Sequence, residues 1–242
     1  MKKNLEGYSK RTGAAVAHRS GRQKLMEAAL QLAASTRSLA SLGLREVARQ
    51  AGLNPNTFYR HFRSFDDLGL AVIDDLAGEL RQGLRERRRR SAVSAALASR
   101  PGDAAQVLRQ AEPVVRESVA LVLDFVTEHQ QAYVVGIREL HGTSPVLRDA
   151  LRRVFDQLAA DMAEDVLEMM PLPQMDPQSV REIAAAVIRQ MAFFSMDYLE
   201  QPSQREAICG QAERFILMLL WGALATGVAQ PGRAQARVAN RS

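Results

Sequence analysis

Between Leu44 and Phe62 the chain reads LREVARQAGLNPNTFYRHF, and the types of its polar residues suit the recognition of a polyanion rather than the making of bonds. Phe58 and Phe62 stand four residues apart, so in a helix both turn inward and leave Pro55, Asn56, Tyr59, Arg60 and Arg63 on the outer surface. An exposed amide can pair with adenine, a guanidinium with guanine or phosphate, and the phenol of Tyr59 and imidazole of His61 with phosphate oxygens. The N-terminus of the same helix adds a field that favours a phosphate.

Short helices must present these groups. Leu25, Ala28, Ala29 and Leu32 recur at helical spacing, and so do Leu44, Val47, Ala48 and Ala51. Gly52 falls where a left-handed C-cap is needed, Asn54 can N-cap a third helix, and Pro55 opens it, giving a helix from Pro55 to about Phe62. The small Ala48 and Ala51 let the helices cross closely, which is helix-turn-helix geometry. Ser64 with Asp67 resembles a capping box that opens a longer helix through Leu68, Val72, Leu76, Leu80 and Leu84 to the run Arg87–Arg90. Residues 91–111, with a Pro101-Gly102 break, read as a loose connection or a short helix. Beyond them helices are expected near 112–130, 131–140, 145–170, 177–200 and 203–227.

No strand pattern, repeat or phosphate-binding glycine loop is present, so the expected fold is all-α. The expected organisation is a basic arm at 1–18, a three-helix DNA-binding domain at 19–66, a helical effector-binding and dimerisation domain at 67–228, and a disordered tail at 229–242. Residues 1–63 hold twelve Lys and Arg against three Glu, a net +9, whereas the remainder carries 20 basic and 24 acidic residues, a net −4. The basic quarter therefore coincides with the candidate reading surface, as counterion release from DNA requires. The single Cys209 excludes an internal disulfide and a cysteine metal site. The most apolar stretch, Phe215 to Val228, is 14 residues long and shorter than a bilayer span of about 20, so no membrane partner and a cytoplasmic location are expected.

The run Phe58, Tyr59, Arg60, His61, Phe62 resembles the TetR family signature, in which a short third helix ends in an aromatic residue, Tyr, any residue, His and Phe. The resemblance covers residues 19–73. It implies a one-component transcription regulator, most often a repressor, working as a homodimer on a double-stranded operator, with ligand binding in the body altering the spacing of two heads. Carried over by position, Arg45 touches phosphate, Asn56 and Thr57 lie over bases, and Tyr59 and His61 clamp the backbone. With Asn54, Arg60 and Arg63 these complete the candidate DNA-binding set. The family often has a phosphate-binding Lys as the second residue of helix 4; here Phe65 stands there, and Arg63 is the candidate substitute.

A narrower resemblance rests on SLASLGLREVARQAG, FYRHFRSFDDLGL and RELHGTSPVLRDA, which are similar to the branch repressing unsaturated fatty acid synthesis. It implies no cofactor, but a long acyl thioester such as an acyl-CoA as a small hydrophobic effector. The candidate ligand-binding residues are Phe125, Val126, Arg138, His141, Met191, Phe194 and Met196, although apolar residues at helical spacing equally make plain core. Phe215, Leu219 and Leu220 are the candidates for the dimer seam, because the family pairs its last two helices.

Other features read as scaffold. Arg87–Arg90 complements a helix C-terminus and is expected to be solvated. Asp161, Glu164, Asp165 and Glu168 share one face and read as a solvated acidic surface, and His18, His61, His129 and His141 are too scattered for zinc. His141, beside Gly142, Thr143 and Ser144, suits helix capping or a polar ligand head. None of Ser20, Ser144 or Ser195 has the setting of a nucleophile, so no enzyme is expected. Two alternatives remain: a repressor sensing drugs or other small molecules, and a ligand-independent architectural or membrane-surface basic protein.

Overall fold

A computed structural model describes residues 20–36, 38–96, 104–169 and 177–226, all of them helical or in short connections. The expected arm and tail lie outside these residues. The order is α1 (Gly21–Thr36), a 3-10 turn (Leu39–Ser41), α2 (Leu44–Gln50), α3 (Asn56–His61), α4 (Phe65–Ala96), α5 (Ala104–Glu128), α6 (Gln130–Glu139), α7 (Pro145–Met169), α8 (Pro177–Glu200), a second 3-10 turn (Pro202–Gln204) and α9 (Arg205–Thr226).

Local chemistry sets the ends of the head helices. Gly52 has φ +66°, and Leu53 N donates to Ala48 O while Gly52 N donates to Arg49 O, so the end of α2 closes in a Schellman turn that a side chain at 52 would strain. Asn54 Oδ1 accepts from Asn56 N at 2.9 Å and fixes the start of α3. Ser64 Oγ accepts from Asp67 N at 3.1 Å and Asp67 Oδ2 accepts from Arg63 N at 2.9 Å, so the capping box opens α4.

The head is not a separate bead. Leu25, Ala29, Leu39, Val47, Phe58, Phe62 and Leu68 form a core that continues into the body through Val135 of α6 and Leu147 of α7. Gly69 lets α4 approach this joint; a Cβ there would meet Leu147 Cδ2 at 2.8 Å and Leu39 Cδ1 at 3.4 Å. Arg138 Nη1 donates to Ala33 O at 2.8 Å, a cation on the C-terminal carbonyls of α1. In the body, α5, α8 and α9 share a core of Val115, Val119, Leu123, Val187, Met191, Ala212 and Ile216, and α7 joins α8 and α9 through Ala159, Ala163, Val180, Ala184 and Ala223.

Three expectations change. The segment 91–111 is helical on both sides of the break, with α4 reaching Ala96 and α5 beginning at Ala104 and continuing through Pro113. The acidic face of α7 is solvated only in part: Glu164 and Glu168 are exposed, whereas Asp161 and Asp165 are each 4% exposed and face arginines of α4. Finally, Pro202–Leu224 is 23 residues with a mean hydropathy of 1.3, so a span of bilayer length exists by composition, although Ala212, Ile216, Leu220 and Ala223 use one side of it for core.

Candidate DNA-reading face and effector cavity

The aromatic packing of the head decides which side of α3 faces outward. Phe58, 1% exposed, lies 5.8 Å from the Phe62 ring and 5.2 Å from the Phe65 ring, which turns the opposite face to solvent. Tyr59 is 69% exposed, an unusual setting for so large a ring, and meets Phe58 edge-on at 5.8 Å. Arg45, Asn54, Asn56, Arg60, His61 and Arg63 are exposed as well, and Thr57 is half-buried. His61 and Thr57 pack toward the start of α1: a Cβ added at Gly21 would lie 2.9 Å from His61 Nε2 and 3.6 Å from Thr57 Cγ2. Phe65 is half-buried against Phe58 and takes no place on the outer surface, whereas Arg63 is free to reach outward. The set named from sequence, Thr57 apart, is thus exposed on the head.

Two apolar cavities occupy the body. The larger, about 1140 Å³ with its mouth included, lies between α4, α6, α7 and α8 and reaches Leu39 and Leu147 at the joint with the head. The other, about 1050 Å³ on the same measure, lies among α4, α5, α7, α8 and α9 and ends on Arg88, Gln110 and Ser118. Leu84, Val122, Ile188 and Met191 line both, so the two adjoin across a wall made of these side chains.

Of the ligand residues named from sequence, Phe125, Val126 and Met191 line this space. The other four do not. Arg138 is engaged with Ala33 of the head, and His141 is exposed beside the turn where Ser144, not His141, caps α7 by accepting from Leu147 N at 3.3 Å. Phe194 turns toward α9, 6.0 Å from the Phe215 ring, and Met196 is half-buried away from both cavities. Spacing along α8 explains the difference: Val187, Ile188, Met191, Ala192 and Ser195 share the face turned to the cavities, and Phe194 and Met196 lie outside that stripe.

Sequence reading missed the polar groups of the walls. His129, Tyr133, Glu139 and Ser195 interrupt the larger cavity. Tyr133 Oη donates to Ala192 O at 3.2 Å, and burial pushes its pKa up to about 12 against the opposing effect of the neighbouring Ser195 hydroxyl. Ser195, fully buried, sits beside that phenol yet makes no well-formed hydrogen bond. His129 stacks on Phe125 at 4.5 Å, with Nε2 3.5 Å from Glu79 Oε1. Glu139 Oε1 accepts from Ser38 Oγ and Leu39 N, both at 2.8 Å, and so ties the end of α6 to the turn that precedes α2. A patterned search for polar residues inside apolar helical stripes would have found Ser195; Glu139 carried no such signal.

Arg88 also departs from its expected solvated role. Arg88 Nε donates to Asp165 Oδ2 at 2.6 Å, and Arg81 Nε to Asp161 Oδ2 at 2.7 Å with Arg85 Nη2 3.6 Å from Oδ1. Burial raises the Asp161 carboxyl pKa, but the hydrogen bonds from Arg81 and Gln157 and the charges of Arg81 and Arg85 outweigh it and hold the group below its ordinary value.

The seam residues divide similarly. Leu220 is 8% exposed and belongs to the core and the cavity wall, and Phe215 and Leu219 are half-buried. The outward faces of α8 and α9 instead carry Phe193, Met218 and Trp221, which are 68%, 65% and 53% exposed.

Among the described residues the chain is all helical, with an exposed helix-turn-helix at one end and apolar cavities in the helical body. Residues 25–72 match the family described as bacterial regulatory proteins, tetR family, so the helix-turn-helix head is of the TetR type. Solved structures share its fold at low identity. The fatty acid degradation regulator FadR from Bacillus halodurans superimposes with a TM-score of 0.63 at 14% identity, covering 86% of this chain and 97% of that one. A transcriptional regulator from Rhodococcus sp. Rha1 gives 0.60 at 18%, covering 84% and 97%. FadR from Bacillus subtilis in complex with stearoyl-CoA gives 0.56 at 14%, covering 81% and 96%.

Proposed function

We propose that the chain is a cytoplasmic repressor of lipid-metabolism genes, belonging to the branch that controls unsaturated fatty acid synthesis, and that its operator affinity is set by a long-chain acyl thioester. The observation that carries this reading is the pair of adjoining apolar cavities, one bounded by Arg88 and the other by Leu39 of the head, that share the wall of Leu84, Val122, Ile188 and Met191. A long hydrocarbon fills such a space, gaining about 0.8 kcal/mol per buried methylene. The B. subtilis relative holding stearoyl-CoA supports the same class of ligand. Because Leu39 walls the cavity and also sits in the core of the head, a filled cavity favours one placement of the head over another, as an effector must. Two copies joined through the outward faces of α8 and α9 would set the spacing of two heads on one operator.

On the DNA side, Asn56 and Thr57 lie over bases, Arg60 reaches a base or phosphate, and Arg45, Asn54, Tyr59, His61 and Arg63 fix the backbone. Operator affinity measured with matched C16 and C18 acyl thioesters, saturated and cis-unsaturated, tests the reading. Affinity should change with a preference between straight and bent chains. If no thioester changes it by even about threefold while an aromatic or cationic drug does, the alternative of a drug-sensing repressor replaces it.

A further inference from the structure

We propose that the hydroxyl of Ser195, beside Tyr133, is the polar anchor of the effector and donates to the carbonyl oxygen of the acyl thioester, with the chain extending from there toward the head. The inference rests on the thioester reading above and adds to it the site and direction of binding.

Ser195 is 0% exposed, lines the larger cavity and presents a hydroxyl with no well-formed hydrogen bond. A buried hydroxyl left unsatisfied costs about 1 to 3 kcal/mol, so an otherwise apolar wall does not hold one without consequence. Tyr133 spends its proton on Ala192 O and stands beside Ser195. The Ser195 hydroxyl has only a poorly formed contact with the Tyr133 oxygen, so its hydrogen can turn to a carbonyl oxygen, which accepts it. A hydrocarbon or an alkyl ammonium cannot accept it.

Direction follows from the polarity on the two sides. From Ser195 toward the head the wall becomes Leu76, Ile73, Val72, Leu147 and Leu39, a lining for a methyl-terminated chain. Ser195 lies one helical turn beyond Met191 of the shared wall, on whose other side stand Ser118, whose buried Oγ has no hydrogen-bond partner, Gln110 and Arg88. Gln110 and Ser118 suit the amide-bearing remainder of the thioester. The apolar end of the ligand would thus press on Leu39 and the tie between Glu139 and Ser38.

The test uses the full chain with palmitoyl-CoA and S-hexadecyl-CoA, a thioether that keeps the chain but lacks the carbonyl oxygen. Direct binding by calorimetry should favour the thioester by about fivefold to tenfold, the worth of one buried hydrogen bond. Ser195→Ala should remove that preference, weakening the thioester and leaving the thioether within about twofold. Its thermal melting should not fall, because it deletes an unsatisfied group, and Tyr133→Phe serves as a second variant. If Ser195→Ala weakens both compounds equally, or neither, the anchor is elsewhere while the thioester reading stands. Failure of both compounds to bind the native chain, with a drug binding instead, overturns the two together.

Discussion

The Arg88 guanidinium and the Asp165 carboxylate meet at 2.6 Å with side chains only 9% and 5% exposed, and they join α4, the helix that leaves the DNA-binding head, to α7 of the body. Taking two charges out of water is costly, and the cost is offset only while both are present. Asp165→Asn or Asp165→Ala should therefore destabilise the fold by about 3 to 5 kcal/mol, whereas the double variant Arg88→Leu with Asp165→Leu should recover most of it. Denaturant unfolding of the single and double variants decides. Equal losses in single and double variants would mean that the pair is not coupled.

One turn away, the Arg81 and Asp161 pair sets an acid limit. Asp161 is held below its ordinary value of 3.8, so its contribution is fully present above that pH and is lost as pH falls through the lowered folded value. Arg81→Met should shrink the loss of stability between neutral pH and the region below about 4 by removing the groups that lower the carboxyl. Melting temperature against pH for the native chain and the variant shows the difference, and superimposable curves would contradict it.

On α3, Tyr59 and Arg60 project away from the packed Phe58, which makes them separable from folding. Tyr59→Ala and Arg60→Ala should each weaken operator binding by about 1 to 3 kcal/mol. Neither should lower the melting temperature, since Tyr59 is 69% exposed. A duplex selected from a random pool supplies the operator, and native affinity in both variants would remove α3 from the reading role.

The helix-turn-helix was legible in the sequence because its signal is local: Phe58 and Phe62 at four-residue spacing, Gly52 at a left-handed turn and Asn54 at a cap fix the helix without knowledge of the body. The lining of the larger cavity depends on how α4, α6, α7 and α8 rotate about their axes, which periodicity constrains weakly in helices apolar on several faces. Met191 therefore fell in the cavity and Phe194 and Met196 did not. The charges of Arg88 and Asp165 read as surface because, 77 residues apart, nothing in either helix names the other as partner. His141 was singled out for its neighbours, and Glu139, two residues earlier, makes the contact to the head.

That contact is guarded by Gly142. A Cβ at this position would collide with the Glu139 carboxylate, whose other oxygen holds Ser38 and Leu39. Gly142→Ala should displace Glu139 and loosen the 3-10 turn ahead of α2, at a cost of about 1 to 3 kcal/mol for the buried carboxylate and amide left unpaired. Hydrogen exchange at Leu39 should quicken in the variant. Retained protection there would show that the turn is held by its apolar packing alone.

The outward faces of α8 and α9 distinguish a seam from a core. Met218 and Trp221 are 65% and 53% exposed on α9, and Phe193 is 68% exposed on α8, so three large apolar side chains face solvent on the two last helices while Leu220, beside them in sequence, is buried. Covering such residues against a second copy is worth about 1.5 to 3 kcal/mol for each side chain fully buried, and isologous pairing uses each of them twice. Met218→Glu with Trp221→Glu should place charge on the seam without touching the core, giving monomers with a melting temperature set by the single chain and weak operator binding. Leu220→Glu should behave differently, because a carboxylate forced into the core of α5, α8 and α9 unfolds the body rather than parting two copies. Sedimentation velocity and thermal melting on both variants separate the outcomes. A native chain that sediments as a monomer at micromolar concentration would remove the seam altogether, and a Leu220→Glu chain that melts like the native one would return that residue to the surface.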